Sequence, residues 1–383
     1  MEHLVNSKVK QIEISGIRKF FNMVADYKDV ISLTIGQPDF ATPQHVKEAG
    51  IRAIEENYTT YTHNAGIYEL REAACQFMND KYDLTYSPDH EVIVTVGASQ
   101  AIDCTFRTLL EEGSEVILPS PVYPGYEPLI KLAGGIPIYV DTTKNQFKLT
   151  AELLKPYLTD KTRCIVLPYP SNPTGVTLDA HELKEIADLV RGRNLFILSD
   201  EIYSELVYGK KHTSIANFLR EQTIVINGLS KSHSMTGWRV GLLFAPEVVS
   251  KHLLKVHQYN VSCATSVAQK AAIEALTVGK DDADVMKKFY EERLNYVYQR
   301  LINMGFDVVK PDGAFYLFPS IKKFKQTSFD FALSLVKNAG VALVPGSAFS
   351  EYGEGYVRLS YAVSMEQLIE AMDRIEKYIQ QIS

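Results

Sequence analysis

An open α/β fold carrying a mostly parallel sheet, with a smaller α+β part beside it, is the architecture this 383-residue chain predicts. Three observations predict it. Short apolar runs rich in β-branched residues recur between about residues 40 and 245, as strands buried on both faces require. Segments of helical periodicity separate these runs, as crossovers between parallel strands demand. Beyond about residue 280 the pattern changes to one long amphipathic helix, then short strands and further helices.

Taken in order, ATPQHVKEAGIRAIEEN opens a helix, with Thr42 as the expected N-cap and Pro43 at the first helical position. EVIVTV, SEVILP, RCIVLPYP, NLFILSD and QTIVINGLS read as strands. In DDADVMKKFYEERLNYVYQRLINMG, residues Met286, Tyr290, Leu294, Val297, Leu301 and Met304 form one apolar stripe at spacings of three and four. GAFYLFPSI, a helix around FDFALSLVKNAG, VALVPG, GYVRLSYA and a closing amphipathic helix complete the smaller part. The expected division is a large domain over 40–280 and a small one from 1–39 plus 281–383, linked by a long helix at about 281–304.

Composition narrows the function classes. The chain is 46% hydrophobic and 22% charged, ordinary for a globular protein, and its net charge of −6 with no Lys/Arg run argues against a nucleic-acid partner. Cys75, Cys104, Cys164 and Cys263 are far apart and form no C-x-x-C, so no zinc knuckle, dithiol or other metal motif is expected, and the thiols should be reduced and buried. The N-terminal MEHLVNSKVKQIEISGIRKF lacks the apolar core of a signal peptide. No segment approaches the roughly 18 apolar residues of a membrane span. A cytoplasmic protein without membrane contact is expected.

Ligands of open α/β sheets bind at the carboxyl ends of the strands. EVIVTV ends in GASQ, RCIVLPYP in SNPTG, NLFILSD in Asp200 with Tyr203 three residues on, and QTIVINGLS delivers Lys231. Gly97, Ala98 and Ser99 form a strand-to-helix turn whose free N–H groups suit a phosphate, although an ordinary serine-capped turn has the same look. The turn is neither G-x-G-x-x-G nor a P-loop. Arg239 and Ser230 add phosphate donors and leave Lys231 free for another task. An amine among cations and partly desolvated sheds its proton readily and attacks aldehydes, yet Lys231 alone reads equally as a solvated strand-end lysine. Asp200 breaks the tie, because a carboxylate at the end of a buried strand needs a cationic or hydrogen-bonded partner, and a protonated pyridine nitrogen would supply one. Aldehyde, phosphate and pyridinium together describe pyridoxal phosphate.

The set SDEIYSEL, SNPTG, GLSKSHSMTGWRVG and YVRLSYA resembles the fold-type I, class I aminotransferases in order and spacing along nearly the whole chain. IGQPDF and EYGEGYVRLSYA are similar to the subgroup holding aspartate, aromatic and diaminopimelate-pathway enzymes. PYPSNPTGVTL, VINGLSKSHSMTGWR and HQYNVSC are most similar to the bacillus-type subfamily that acts on N-acetyl-LL-diaminopimelate in lysine biosynthesis. The resemblance implies a seven-stranded large-domain sheet, a small domain from the two chain ends, and amino transfer between an L-amino acid and a 2-oxo acid, with glutamate and 2-oxoglutarate as one pair. It implies that Lys231 bonds to the cofactor and shuttles a proton, that Asp200 holds the ring nitrogen protonated, and that Tyr203 and Asn172 bond its phenolic oxygen. Tyr123 would stack on the ring, and Gly97, Ala98, Ser99, Ser230 and Arg239 would cradle the phosphate, joined by Tyr61 from the other subunit of a homodimer. Arg358, with the Gly36 backbone and Asn172, would hold the substrate α-carboxylate.

Two departures stand out. Gly228 occupies a place where some aspartate enzymes have serine, and for a second, distal carboxylate only Arg18 is a candidate, reading also as a solvated charge on an amphipathic helix. Aspartate and aromatic aminotransferases would use the same residues, and a C–S β-lyase would share Lys231 and Asp200. A non-enzymatic binding module is disfavoured by the intact Lys231, Asp200 and Arg358.

Overall fold

The computed structural model describes residues 1–24 and 27–382. In chain order its strands are β1 (Ile31–Ser32), β2 (Val92–Val96), β3 (Glu115–Ser120), β4 (Ile136–Asp141), β5 (Thr162–Leu167), β6 (Phe196–Asp200), β7 (Thr223–Gly228), β8 (Val240–Phe244), β9 (Tyr316–Leu317), β10 (Val341–Ala342), β11 (Val344–Pro345) and β12 (Val357–Ser360). Seven of them form one sheet in the order β2, β8, β7, β6, β5, β3, β4. From β4 to β7 the pairing is parallel, while β8 runs antiparallel to both β7 and β2. Helices flank the sheet, and every residue of β7 is buried, which is why its centre, Ile224 to Ile226, is apolar on both faces with no alternation.

All five expected strands are present, and β4 and β8 join them. β4 lies at the sheet edge with one fully buried residue, so IPIYVD carries little periodic signal. β8 starts directly after Arg239 as the short run VGLLF, which merges with the motif carrying Lys231. The helix expected near residue 42 spans Gln44–Glu55, with Pro43 rather than Thr42 at the N-cap. The Thr42 hydroxyl is committed elsewhere: it donates to the Ser234 carbonyl at 2.8 Å and accepts from Trp238 Nε1 at 3.2 Å, tying this segment to the loop that follows Lys231.

Beyond the large sheet, β11, β12 and β9 form a three-stranded antiparallel sheet and β1 pairs in parallel with β10. The helix Ala283–Asn303 buries Met286, Tyr290, Leu294, Val297 and Leu301 against this layer, the stripe that its spacing predicts, while Met304 caps the helix and is only partly buried. Phe20 and Val24 of the helix Gly16–Val24 pack on Ala332, Val336 and Ala342, so the N-terminal segment is held by the C-terminal part of the chain. Cys75, Cys104 and Cys164 are free and buried, but Cys263, just past the end of the helix Glu247–Val261, is only half-buried, contrary to expectation. No helix among the described residues is long and apolar enough to cross a membrane.

Candidate active site

The parallel strands β5, β6 and β7 all point the same way, so the loops after them meet on one sheet edge. Asp200 ends β6, and Lys231 sits in the one-turn helix Leu229–Ser232 that continues β7. Because β8 is antiparallel, its beginning lies on that same edge, and the pairing of Val96 with Val240 sets Arg239 beside Gly97. A Cβ on Gly97, whose φ is +73°, would meet Arg239 Nη2 at 2.3 Å. A Cβ on Gly241 would meet Gly97 C at 2.5 Å and Ala98 N at 2.7 Å, so two glycines bring the guanidinium against the free N–H groups that open the helix Gly97–Leu109.

This edge walls a cavity of about 430 Å³. Gly36, Ala98, Ser99, Tyr123, Asn172, Asp200, Tyr203, Ser230, Lys231, Arg239 and Arg358 all line it. Gly97 stands behind Arg239 rather than on the wall, and Tyr61 is 88% exposed and outside the cavity. Ile17 of the N-terminal helix is on the wall, whereas Arg18 is exposed and off it. Gly228 does not admit a side chain here, since a Cβ would lie 2.9 Å from the Val240 carbonyl oxygen and 3.1 Å from Ile202 Cδ1.

The Lys231 amine donates to the Gly36 carbonyl at 2.6 Å. Burial, reinforced by the Arg358 and Arg239 charges, pulls it down from the usual lysine range to about 8, against the opposing pull of Asp200. Asp200 is buried, and burial pushes its carboxyl above the usual range, although the Tyr126 hydroxyl donates to Oδ2 at 2.6 Å and the Ile202 N–H to Oδ1 at 3.3 Å. Its neighbour Glu201 is turned away from the cavity and saturated by the Ser199 and Ser214 hydroxyls and by His212 Nε2. Asp200 is therefore the carboxylate that the cavity presents among its described residues.

Opposite, Arg358 is only 2% exposed and has no acidic partner among the described residues, and burial pulls it down from the usual guanidinium range. Its Nη1 donates to Asn172 Oδ1 at 3.0 Å and its Nη2 to the Thr34 carbonyl at 2.5 Å, while Nε is buried without a partner. The Asn172–Pro173 bond is cis.

Reasoning from sequence missed Tyr126 and Tyr316. Tyr316 in β9 shares a 2.8 Å bond with the Tyr203 hydroxyl and lies under the Arg358 guanidinium, 4.5 Å from ring centroid to Cζ. A Cβ on Gly36 would sit 2.9 Å from its hydroxyl. GAFYLFP marks Tyr316 only as a strand residue. For Tyr126, a second aromatic three residues after Tyr123 was the available signal; the two rings meet edge to face at 5.6 Å.

A family description, aminotransferase class I and II, matches residues 28–375. The chain belongs to the class I and II aminotransferases. It is 65% identical over 379 residues to a probable N-acetyl-LL-diaminopimelate aminotransferase of Bacillus subtilis (strain 168), covering 99% of this chain and 96% of that one. Among solved structures it resembles an aromatic aminotransferase from Pyrococcus horikoshii OT3, with a TM-score of 0.90 and 41% identity over 95% of this chain and 99% of that one. It also resembles an aspartate aminotransferase from Thermus thermophilus with maleate, with a TM-score of 0.93 and 34% identity over 97% and 99%. The aminotransferase is thus a transaminase of amino acids and 2-oxo acids that works with pyridoxal phosphate.

The residues present fit that cofactor. The cavity is of small-molecule size. It combines a buried amine with a lowered pKa, a buried carboxylate that burial destabilises unless a cation faces it, and a glycine-built cradle closed by Arg239. A pH titration tests the first of these. In cofactor-free aminotransferase, labelling of Lys231 by a small amine-reactive reagent, followed by peptide mass spectrometry, is expected to rise with pH to a half-maximum near the value of about 8, because only the neutral amine reacts. A midpoint in the ordinary lysine range, about 10.4, would show the amine to be solvated.

Proposed function

We propose that this aminotransferase moves the amino group of N-acetyl-LL-diaminopimelate to and from 2-oxoglutarate in two half-reactions, in lysine biosynthesis in the cytoplasm. The observation that supports the substrate is the 65% identity over 99% of the chain to the Bacillus subtilis relative.

Bound pyridoxal phosphate supplies an aldehyde that condenses with amines and a protonated ring that takes up the electrons released at the substrate carbon. Lys231 would be the covalent attachment point for the cofactor, and its amine would carry a proton to and from the substrate Cα. Its lowered pKa suits both tasks. Asp200, held in place by Tyr126, would hold the ring nitrogen in its protonated form. Tyr203 and Asn172 would donate to the phenolic oxygen, and Tyr316 fixes the Tyr203 hydroxyl. Tyr123 would pack against the ring. Gly97, Ala98, Ser99, Ser230 and Arg239 would hold the phosphate.

Arg358 binds the substrate α-carboxylate with the Gly36 backbone and Asn172. Its preorganisation by Asn172 and the Thr34 carbonyl leaves the guanidinium aimed, and a bidentate clamp orients the Cα–H bond for removal. Tyr61, exposed on the single chain, enters the site of a second copy, so the working unit is a homodimer.

A second reading, aspartate or aromatic amino acid transfer, draws on relatives so named at 40–42% identity, among them aspartate aminotransferases of Pyrococcus abyssi and Bacillus subtilis (strain 168). Single-turnover loss of the visible cofactor band, measured with each donor in turn, separates the readings. Acylated diaminopimelate and glutamate are expected to discharge it fastest. Fast discharge by aspartate or phenylalanine with none by the acylated donor would overturn the proposal in favour of the second reading.

A further inference from the structure

A second cavity, of about 540 Å³, adjoins the first. Tyr123 lines both, and the wall between them continues through consecutive residues, Gly16 on the far side and Ile17 on the near side. Phe349 lines the far cavity and lies 5.1 Å from the Arg358 guanidinium carbon, so the far cavity begins where the α-carboxylate clamp ends. The Tyr123 ring is kept against its own loop by Gly125, where a Cβ would meet the ring at 2.3 Å.

The far cavity is not an aromatic slot. Two lysines and two glutamates line it: Lys19 pairs with Glu13 at 2.5 Å, and Lys131 pairs with Glu127, which also accepts from the Tyr139 hydroxyl at 2.6 Å. A hydrocarbon ring there would desolvate four charges and offer no hydrogen bond in return. A lone second carboxylate would meet the lysines but leave the glutamates repelled. A group that carries a carboxylate and an amide N–H side by side answers both: the anion bonds a lysine and the N–H bonds a glutamate. The Lys–Glu pairs are exposed enough to exchange partners, Lys19 being 54% and Lys131 36% exposed.

We propose that this second cavity is the subsite for the far end of the amino donor, that the end it takes is an acylamino carboxylate, and that Lys19 and Lys131 bind its carboxylate while one of Glu13 and Glu127 accepts its single amide N–H. Arg18, one residue from Lys19, is off both walls. The inference rests on the acyl-diaminopimelate reading and names the part of the chain that selects that substrate.

The test uses the cofactor-loaded enzyme and its Lys19→Ala, Lys131→Ala and double variants. Both lysines are far enough exposed that truncation leaves the core intact. Single-turnover kcat/KM is measured with N-acetyl-LL-diaminopimelate, with glutamate, and with 2-aminopimelate, which has the same chain length and no acylamino group. Relative to glutamate, the acylated donor is expected to fall about tenfold or more in the double variant. If the parent enzyme accepts the acylated donor and that ratio does not change, the subsite is overturned. If the parent enzyme ignores the acylated donor, the substrate reading fails by itself and 2-aminopimelate then decides the subsite. A fall of similar size relative to glutamate upholds the lysines as carboxylate ligands; no fall overturns them.

Discussion

Replacing Lys231 with alanine is expected to lower amino transfer by roughly 10⁴-fold or more, because in the proposed mechanism one group supplies both the covalent attachment and the proton transfer at Cα. Lys231→Arg separates nucleophile from charge. Arginine keeps a cation near Arg358 and Arg239 and can still reach the Gly36 carbonyl that Lys231 bonds, but it does not lose its proton. Both variants are therefore expected to be equally inactive while binding the cofactor without a covalent link. Borohydride reduction followed by peptide mapping should trap cofactor on position 231 of the parent and nowhere on the variants. Turnover by either variant within about 100-fold of the parent would sink the assignment.

Asp200→Asn carries the second-largest expected effect, and its signature has two parts of opposite sign. In the cofactor-free protein the Asp200 carboxyl is buried and its pKa raised, so the folded state disfavours the anion. A neutral amide of the same shape, accepting the Ile202 N–H at Oδ1 and donating from Nδ2 to the Tyr126 hydroxyl oxygen, is expected to leave the cofactor-free melting temperature equal or higher. In the loaded enzyme the same change, under the proposed mechanism, removes the partner of a buried cation. A broken buried pair costs about 3–5 kcal/mol, which corresponds to a loss of roughly 10²- to 10⁴-fold in kcat/KM. Stability lost together with activity would mean that Asp200 holds the fold and not the ring.

The chemistry could be read from the chain because it is written locally. Each strand end is a short stretch in which a buried run stops and a functional group begins, and Lys231, Asp200 and the Gly97–Ser99 turn all have that form. Arg239 was readable as a phosphate donor, but that it faces Gly97 depends on β8 running backwards, a topological fact without a local signature. Thr42 shows the converse error: as a local N-cap it fits the pattern, yet its hydroxyl is drawn to Ser234, 192 positions away.

What the sequence by itself determined, then, is the kind of reaction: an amine, an anion and an anion cradle at the ends of buried strands, in the order shared with the aminotransferases. What only the tertiary structure decided is partnership. It chose Asp200 over Glu201 as the carboxylate facing the cavity, set Tyr316 between Tyr203 and Arg358, and aimed Arg358 with a carbonyl 324 residues away. It also opened a second charged cavity behind Tyr123. The physical reason is range. Strand burial and turn geometry act over a few neighbouring residues and leave a pattern in the chain, whereas a hydrogen bond or ion pair across the fold acts over ångströms in space and leaves none.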